Sequence, residues 1–360
     1  MIFVMTLCGR GEHARRELIR ESWGTRGSLA RAYNTFVHAF FVGNHTCLLP
    51  SARRRYDVDC LPRHAGQPAS EQSALQSEAR AHGDLVMLEV VDGYYRGLLP
   101  KFKKAFAWVV QHTRAQWVLK ADTDLFARPM ATAHWVRQLD PTRMSVLGWL
   151  WGRGPVPTEP CSHDASIQTR CGKAGLEARH LNMLRGIRIF PPYPVGSAGY
   201  LLSRPVATFI AQHDGDELSA TDVSLGLWLS RSPRPVRLIS APDAFYKAGD
   251  GKTCLRKPRA LVCCHGSMGP RNLKRCGNSS WEEAPPLTEA GLDALPACPG
   301  KLPAPLEHRC ILFRKENIVS RVSRSSRRDL NYRHTVRIKA AEIPNAGRVP
   351  QNQKISVFSL

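Results

Sequence analysis

Acidic residues are in short supply: 30 Asp and Glu stand against 51 Lys and Arg, a formal net charge of +21 over 360 residues. So basic a balance raises nucleic-acid binding first. The chain, however, lacks C2H2 spacing, an RNP-like aromatic strand and any basic helix with base-reading spacing, so no nucleic-acid partner is expected. Long hydrophobic runs are missing too. No segment approaches the roughly 18 to 20 apolar residues needed to cross a bilayer. The opening "MIFVMTLC" is too short for an anchor, has no charged start or small-residue cleavage site, and reads as a first β-strand. None of the cysteines forms a CxxC pair, which removes paired thiolate zinc knuckles.

What remains is an ordinary globular composition, 43% hydrophobic and 22% charged. Part of the positive charge sits at one end: from Arg314 to Leu360 there are 11 Lys/Arg and 3 Asp/Glu, a local +8 with little apolar periodicity. That segment reads as a disordered, solvated tail. The 11 cysteines cluster in loop-like stretches, Cys161 and Cys171, then five between Cys254 and Cys298. Such clusters suggest disulfides in an oxidising compartment, and the odd count leaves at least one thiol free or paired with another chain. Two N-x-[ST] sequons, at Asn44 and Asn278, fit a secretory route. On that route this chain is missing its address, and a truncated gene model is the preferred explanation.

The first half alternates strand and helix signals. "MIFVMTLC" is followed by a helix in "GEHARRELIRESWG", whose apolar side is Leu18, Ile19 and Trp23. The strand "YNTFVHAFFVG" comes next, then a polar helix over 71–82 and the strand "DLVMLEVVD". The helix "LLPKFKKAFAWVVQH" leads to the strand "QWVLKADTD". Strands spaced by helices of this length predict a doubly wound, mainly parallel α/β sheet. From 151 to 189 the chain is Gly- and Pro-rich and reads as an inserted loop or lid. Order returns with a turn, a short strand and a helix in "FPPYPVGSAGYLLSRPVATFIAQH", then the helix of "ATDVSLGLWLSRS", capped or opened by Asp222. Residues 233–264 give two short strand signals. No internal repeat is evident.

The chemistry is expected where "WVLKADTDLF" ends a strand in Asp122 and Asp124, because ligands of open α/β sheets bind at the carboxyl ends of strands. Alternate residues of extended chain share a face, so both carboxylates can point at one ligand. Two hard oxygen donors suit Mg²⁺ or Mn²⁺, and through it a diphosphate. A solvated turn is the competing reading. The same Asp-x-Asp spacing recurs at Asp57/Asp59 and Asp214/Asp216, where the solvated turn is preferred.

Seven blocks stand in order: "RRELIRESWG", "FFVG", "SEARAHGDLV", "GYYRGLLPKFKKAFAWV", "WVLKADTDLF", "PPYPVGSAGYLLS" and "TDVSLGLWLS". Over roughly residues 1 to 230 the set resembles the inverting β-1,3-glycosyltransferases of the β-1,3-galactosyltransferase family, carbohydrate-active family thirty-one. Four departures stand out. Thr123 replaces a middle Asp, and Thr221 replaces the usual Glu before Asp222. "GSAGY" is one residue longer than the family turn, and Gly97-Leu98-Leu99 stands for Asn-Leu-Thr.

The resemblance implies a GT-A fold, a UDP-sugar donor and a divalent metal, Mn²⁺ or Mg²⁺. Asp124 would be the direct metal ligand, with Asp122 near the ribose or a metal-bound water, and Asp222 would be the general base. A third ligand is expected from His265 in "ALVCCHG", whose alternative is a loop histidine beside a disulfide; His308 is the second choice. Arg15, Arg16 and Arg20 could reach the donor phosphates or make structural salt bridges. Lys101 is either a donor contact or a solvated helix start. Tyr193, Tyr200 and Trp228 are candidates for an acceptor platform, with core packing the alternative for Trp228. The expected organisation is a catalytic domain over 1–280, with its donor half to about 127. A Pro/Cys-containing extension over 281–313 and the tail from 314 follow. The expected activity moves galactose or an N-acetylhexosamine from UDP to a glycan or glycoprotein, in the Golgi lumen, with a membrane anchor in the full-length protein. A catalytically silent lectin or chaperone and a basic polyanion binder are the competing classes.

Overall fold

The computed structural model describes residues 1–24, 36–49, 60, 62–93, 98–151, 156, 181–182, 184–214, 218, 220–246, 261–263, 286–294 and 306–310. The chain divides into two units, Met1–Ile311 and Leu312–Leu360, and every described residue lies in the first. His265, Cys161, Cys171, the Asp57/Asp59 pair and the basic tail lie outside the described residues.

The central sheet is built from β1 (Ile2–Leu7), β2 (Phe36–Cys47), β4 (Leu85–Asp92), β5 (Trp117–Asp122), β7 (Ser145–Gly148), β10 (Tyr200–Ser203), β11 (Val236–Ser240) and β14 (Leu306–Cys310). Across the sheet they run β4, β2, β1, β5, β10, β7, β11, β14, and a two-residue strand β3 (Ala65–Gly66) adds to β2. All pairings in this row are parallel except those of β10, which runs against β5 and β7. Helices α1 (His13–Ser22), α2 (Ala69–His82), α3 (Leu98–His112), α4 (Pro129–Val136), α5 (Arg204–Gln212) and α6 (Thr221–Ser230) flank it. This is the α/β, mainly parallel architecture that the alternation of signals predicts. All six residues of β1 are buried, as expected of a strand covered on both faces.

One face of the sheet packs Phe3, Met5, Phe41 and Val118 against Phe102, Phe106 and Val109 of α3, with Val206 and Ile210 of α5 and Trp228 of α6. The other face meets α1, and there the expected apolar stripe is only half right. The buried residues of α1 are Arg16, Ile19 and Arg20. Arg16 Nε and Nη2 donate to Glu78 at 2.7 Å each, and Arg20 Nε and Nη2 donate to Asp84 at 2.7 to 3.2 Å. Arg20 also pairs with Glu78 and Glu17 and lies over the Phe40 ring. A donor contact from Arg16 or Arg20 therefore gives way to the salt-bridge alternative, since both guanidiniums are shut off from solvent and already bonded.

Two further expectations change. Residues 233–264 hold three short strands rather than two: β11, β12 (Phe245–Tyr246) and β13 (Val262–Cys263), the last pairing with β6 (Phe126–Ala127). The sheet also continues past residue 280: β14 pairs with β11. In α7 (Glu289–Asp293), Glu289 accepts from Arg237 of β11 at 2.5 and 3.1 Å. Cys47 and Cys60 form a disulfide, and Cys8 is a buried free thiol pushed up to about 12 chiefly by burial. No described helix is long and apolar enough to cross a membrane.

Burial works to raise the Glu78 carboxyl, but the bonds from Arg16, His13 and Arg20 outweigh it and hold the group at about 2, below the ordinary 4.5. Its folded value is depressed, so its contribution is complete above about pH 4.5 and is lost as pH falls towards 2. Glu78→Ala should cost about 3–5 kcal/mol in urea unfolding at pH 7, because two buried guanidiniums lose a partner. Glu78→Gln should be less stable than wild type at pH 7 and show a shallower fall in stability through the acid window.

Candidate functional site

The carboxyl ends of β1, β4, β5, β7 and β11 and the start of the antiparallel β10 meet at one pole of the sheet. There β5 delivers Lys120 and Asp122, and the chain turns, with Leu125 N–H donating to Asp122 O at 3.2 Å. The strand stops at Asp122, so Asp124 lies in the following turn and not on extended chain as the alternation argument supposed. The turn is pinned from below by fully buried Leu125, whose carbonyl accepts from Trp23 Nε1 at 3.0 Å. Thr123 points to the start of α1: it donates to Glu12 Oε1 at 3.2 Å and accepts from Arg15 Nη1 at 3.3 Å. The outer acids, Asp122 and Asp124, are left half-buried at the pole.

Lys120 is the residue that sequence reasoning passed over. It is 4% exposed, and its Nζ donates to Asp122 Oδ1 at 2.6 Å and to Gly196 O at 3.3 Å, above the Tyr200 ring. Burial works against the ammonium, but the Asp122, Asp222 and Asp124 carboxylates overcome that and hold its pKa above the ordinary lysine value. The signal was present: a lysine inside a buried apolar strand, two residues before a carboxylate, must have a partner.

Asp222 arrives at the same place from the other half of the chain. It sits in the first turn of α6, where the helix dipole favours a negative charge. It does not cap the helix, because the N-cap position is Ala220. Its Oδ2 accepts from Gly196 N–H at 2.8 Å, and its Oδ1 accepts from Thr221 Oγ1 at 3.4 Å. Burial, together with the Asp122 charge, raises its pKa above the usual carboxylate value, against the opposing pull of Lys120 and the Gly196 amide. Gly196 cannot carry a side chain here: a Cβ would lie 2.5 Å from Asp222 Oδ1. The longer "GSAGY" segment is taken up by a 3-10 turn over Gly196–Ala198 and by Gly199 at φ 69°, after which β10 begins at Tyr200.

Other candidates lie elsewhere. Lys101 is buried, not a solvated helix start: its ammonium donates to Cys8 O at 3.0 Å and to the Asp92 carboxylate, tying α3 to the ends of β1 and β4. As a donor contact it is displaced by these structural bonds. Arg15 is the one of the three helix arginines that reaches solvent, with 53% of its side chain exposed, beside the Asp122–Asp124 turn. Tyr200 and Trp228 are fully buried in the core, whereas Tyr193 is half-buried beside α6. Asp214 is exposed, as a solvated turn requires. His308 falls in β14, in register with Leu238. Among the described residues, His13, Glu17 and Glu78 also bring three potential metal-ligand atoms together. There Arg16 and Arg20 already hold Glu78, and two guanidiniums oppose a dication.

Residues 65–233 match the family model described as Galactosyltransferase, a span that contains Lys120, Asp122, Asp124, Gly196 and Asp222. Beta-1,3-galactosyltransferase 6 of Mus musculus is 31% identical over 190 residues, covering 51% of this chain and 52% of its own length. UDP-GalNAc:beta-1,3-N-acetylgalactosaminyltransferase 2 of Danio rerio is 28% identical over 167 residues, covering 46% of this chain and 30% of its own length. The chain thus spans about half or less of these curated relatives. Among solved structures, galactosyltransferase LgtC with donor and acceptor sugar analogs is 13% identical, covering 78% of this chain and 96% of that one, with a TM-score of 0.31. A TM-score of that size adds nothing to the topology described above.

Lys120→Met should lower stability at pH 7 by roughly 2–4 kcal/mol, somewhat less than a fully buried pair because Asp122 is 34% exposed. Asp222 has a raised folded pKa, so its penalty acts above that value and fades as pH falls towards the ordinary carboxylate range. Urea unfolding of wild type and variant should therefore converge as pH is lowered from 7 towards 4; a constant gap contradicts the shared charge.

Proposed function

Because the chain belongs to the galactosyltransferase-type β-1,3-glycosyltransferase family, we propose that it is a metal-dependent, inverting hexosyltransferase that moves galactose or an N-acetylhexosamine from a UDP-sugar to a glycan or glycoprotein. The observation that carries the reading is the buried ammonium of Lys120, which joins the Asp122–Asp124 turn to the Asp222 helix through Gly196.

In this reading Asp222 takes the proton from an acceptor hydroxyl as that oxygen attacks C1 of the sugar from the face opposite UDP. The bond from C1 to the acceptor oxygen forms, the bond from C1 to the diphosphate oxygen breaks, and an α-linked donor gives a β-linked product. The raised pKa of Asp222 suits a base that must accept a proton near neutrality. The donor set fits a hard divalent cation: two carboxylates two residues apart, one oxygen of Asp122 being bound by Lys120. Asp124, with Asp122 beside it, would hold Mn²⁺ or Mg²⁺, which supplies Lewis-acid stabilisation of the departing diphosphate when bound. Arg15, exposed beside the turn, takes the phosphate-facing role that buried Arg20 and Lys101 cannot fill. The Cys47–Cys60 disulfide supports an oxidising, Golgi-type compartment.

UDP release measured with UDP-galactose, UDP-GalNAc and UDP-GlcNAc, Mn²⁺ and a panel of glycan acceptors tests the reading. Asp222→Asn should lower turnover by roughly 10²–10⁴-fold while UDP still binds. Asp124→Ala should lose Mn²⁺-dependent UDP binding in calorimetry. Full turnover in Asp222→Asn sinks the base assignment. Normal UDP and Mn²⁺ binding by wild type, with no UDP release on any acceptor, favours the silent, lectin-like class.

A further inference from the structure

Trp151 is 54% exposed, a large aromatic left bare at the pole that carries the carboxylates. It ends β8 (Leu150–Trp151), which pairs antiparallel with β9 (Tyr193–Pro194) and sets Trp151 directly opposite Tyr193. Residues directly opposite in an antiparallel pair project to the same face. That face is turned towards α6: a Cβ on Gly226 would lie 2.8 Å from Tyr193 Cβ. Gly226 stands four residues after Asp222, on the same side of the helix. The order along this surface is therefore Asp222, then Tyr193, then Trp151. The strand pair is extended towards the site by Val195 N–H donating to Trp149 O at 2.8 Å, one residue before Gly196 binds Asp222. Behind it the Trp149 ring stacks on Tyr246, 6.5 Å apart and 8° from parallel.

A pyranose ring offers two kinds of surface, a face of C–H groups and an edge of hydroxyls. An aromatic wall beside a carboxylate matches both at once: the rings cover the apolar face while the carboxylate meets a hydroxyl at the edge. We propose that Trp151 and Tyr193 form the acceptor subsite of the transferase reading, stacking the terminal pyranose so that one of its hydroxyls meets Asp222. The subsite selects a neutral sugar. Asp122 and Asp222 would repel a uronate or a sialic acid, and the one buried cation among them, Lys120, is already bonded to Asp122.

The test uses methyl β-D-galactopyranoside, methyl β-D-xylopyranoside and methyl β-D-glucopyranosiduronate as probes, followed by ligand-observed NMR titration with and without UDP and Mn²⁺. At least one neutral pyranoside should bind wild type and the uronide should not. Trp151→Ala should weaken that binding about tenfold or more, and Trp151→Phe should keep it within about threefold, with thermal midpoints unchanged because the side chain is exposed. Equal binding by Trp151→Ala, tighter binding of the uronide, or a wild type that binds UDP but neither neutral pyranoside overturns the subsite. A wild type that holds a pyranoside through Trp151 yet binds no UDP overturns the transferase reading and leaves the subsite standing.

Discussion

A buried ammonium among three carboxylates is the constraint around which this site is organised. Taking Lys120 out of water costs several kcal/mol, and only nearby negative charge can offset that. Asp122 answers it from the same strand, at 2.6 Å, and Asp222 and Asp124 add their fields. The carbonyl of Gly196 takes a further bond from the ammonium while the amide of the same glycine grips Asp222. Two halves of the chain, a hundred residues apart in sequence, are thereby held in one electrostatic unit. The arrangement also explains why residue 196 has no side chain: the space a Cβ needs is filled by the carboxylate.

The same logic runs through the rest of the molecule and changes the meaning of its charge. Arg10, Arg16, Arg20, Lys101, Lys120 and Arg237 are all buried, and each finds a carboxylate. These six, of the 51 Lys and Arg in the chain, serve as internal wiring rather than as surface charge. Arg10 is typical: beside its ion pair with Glu71 it donates to the carbonyls of Gly43 and Asn44, fastening the loop after β1 to β2 and α2. The glycine of "FFVG" belongs to this wiring, because a Cβ on Gly43 would lie 2.7 Å from the Asp92 nitrogen, whose carboxyl holds Lys101. Because each internal pair also uses an acid, the net charge of +21 is left to the remaining residues.

Legibility in the sequence varied by element for physical reasons. The helix of Leu98–His112 was readable to the residue, because its apolar positions recur at helical spacing and Pro100 sits in its first turn. The first strand was equally plain as a short unbroken apolar run. On α1 the periodicity misled, since two of its three buried residues are arginines whose partners, Glu78 and Asp84, lie about 60 residues away. The aromatic candidates divided in the same way. Tyr200 and Trp228 fill the core, while Tyr193 and the unremarked Trp151 line the pole, and nothing local distinguishes them.

Alternating periods of 2 and 3.6 were enough to determine an α/β sheet, because they follow from local backbone geometry, and a strand ending in Asp-x-Asp pointed to the pole where Asp122 and Asp124 lie. The pairing of Lys120 with Asp122 and Asp222, the burial of Arg20 and Lys101, and the exposure of Trp151 beside Tyr193 were decided only by tertiary structure. Burial and charge compensation are properties of what surrounds a residue in space, and those neighbours come from distant parts of the chain.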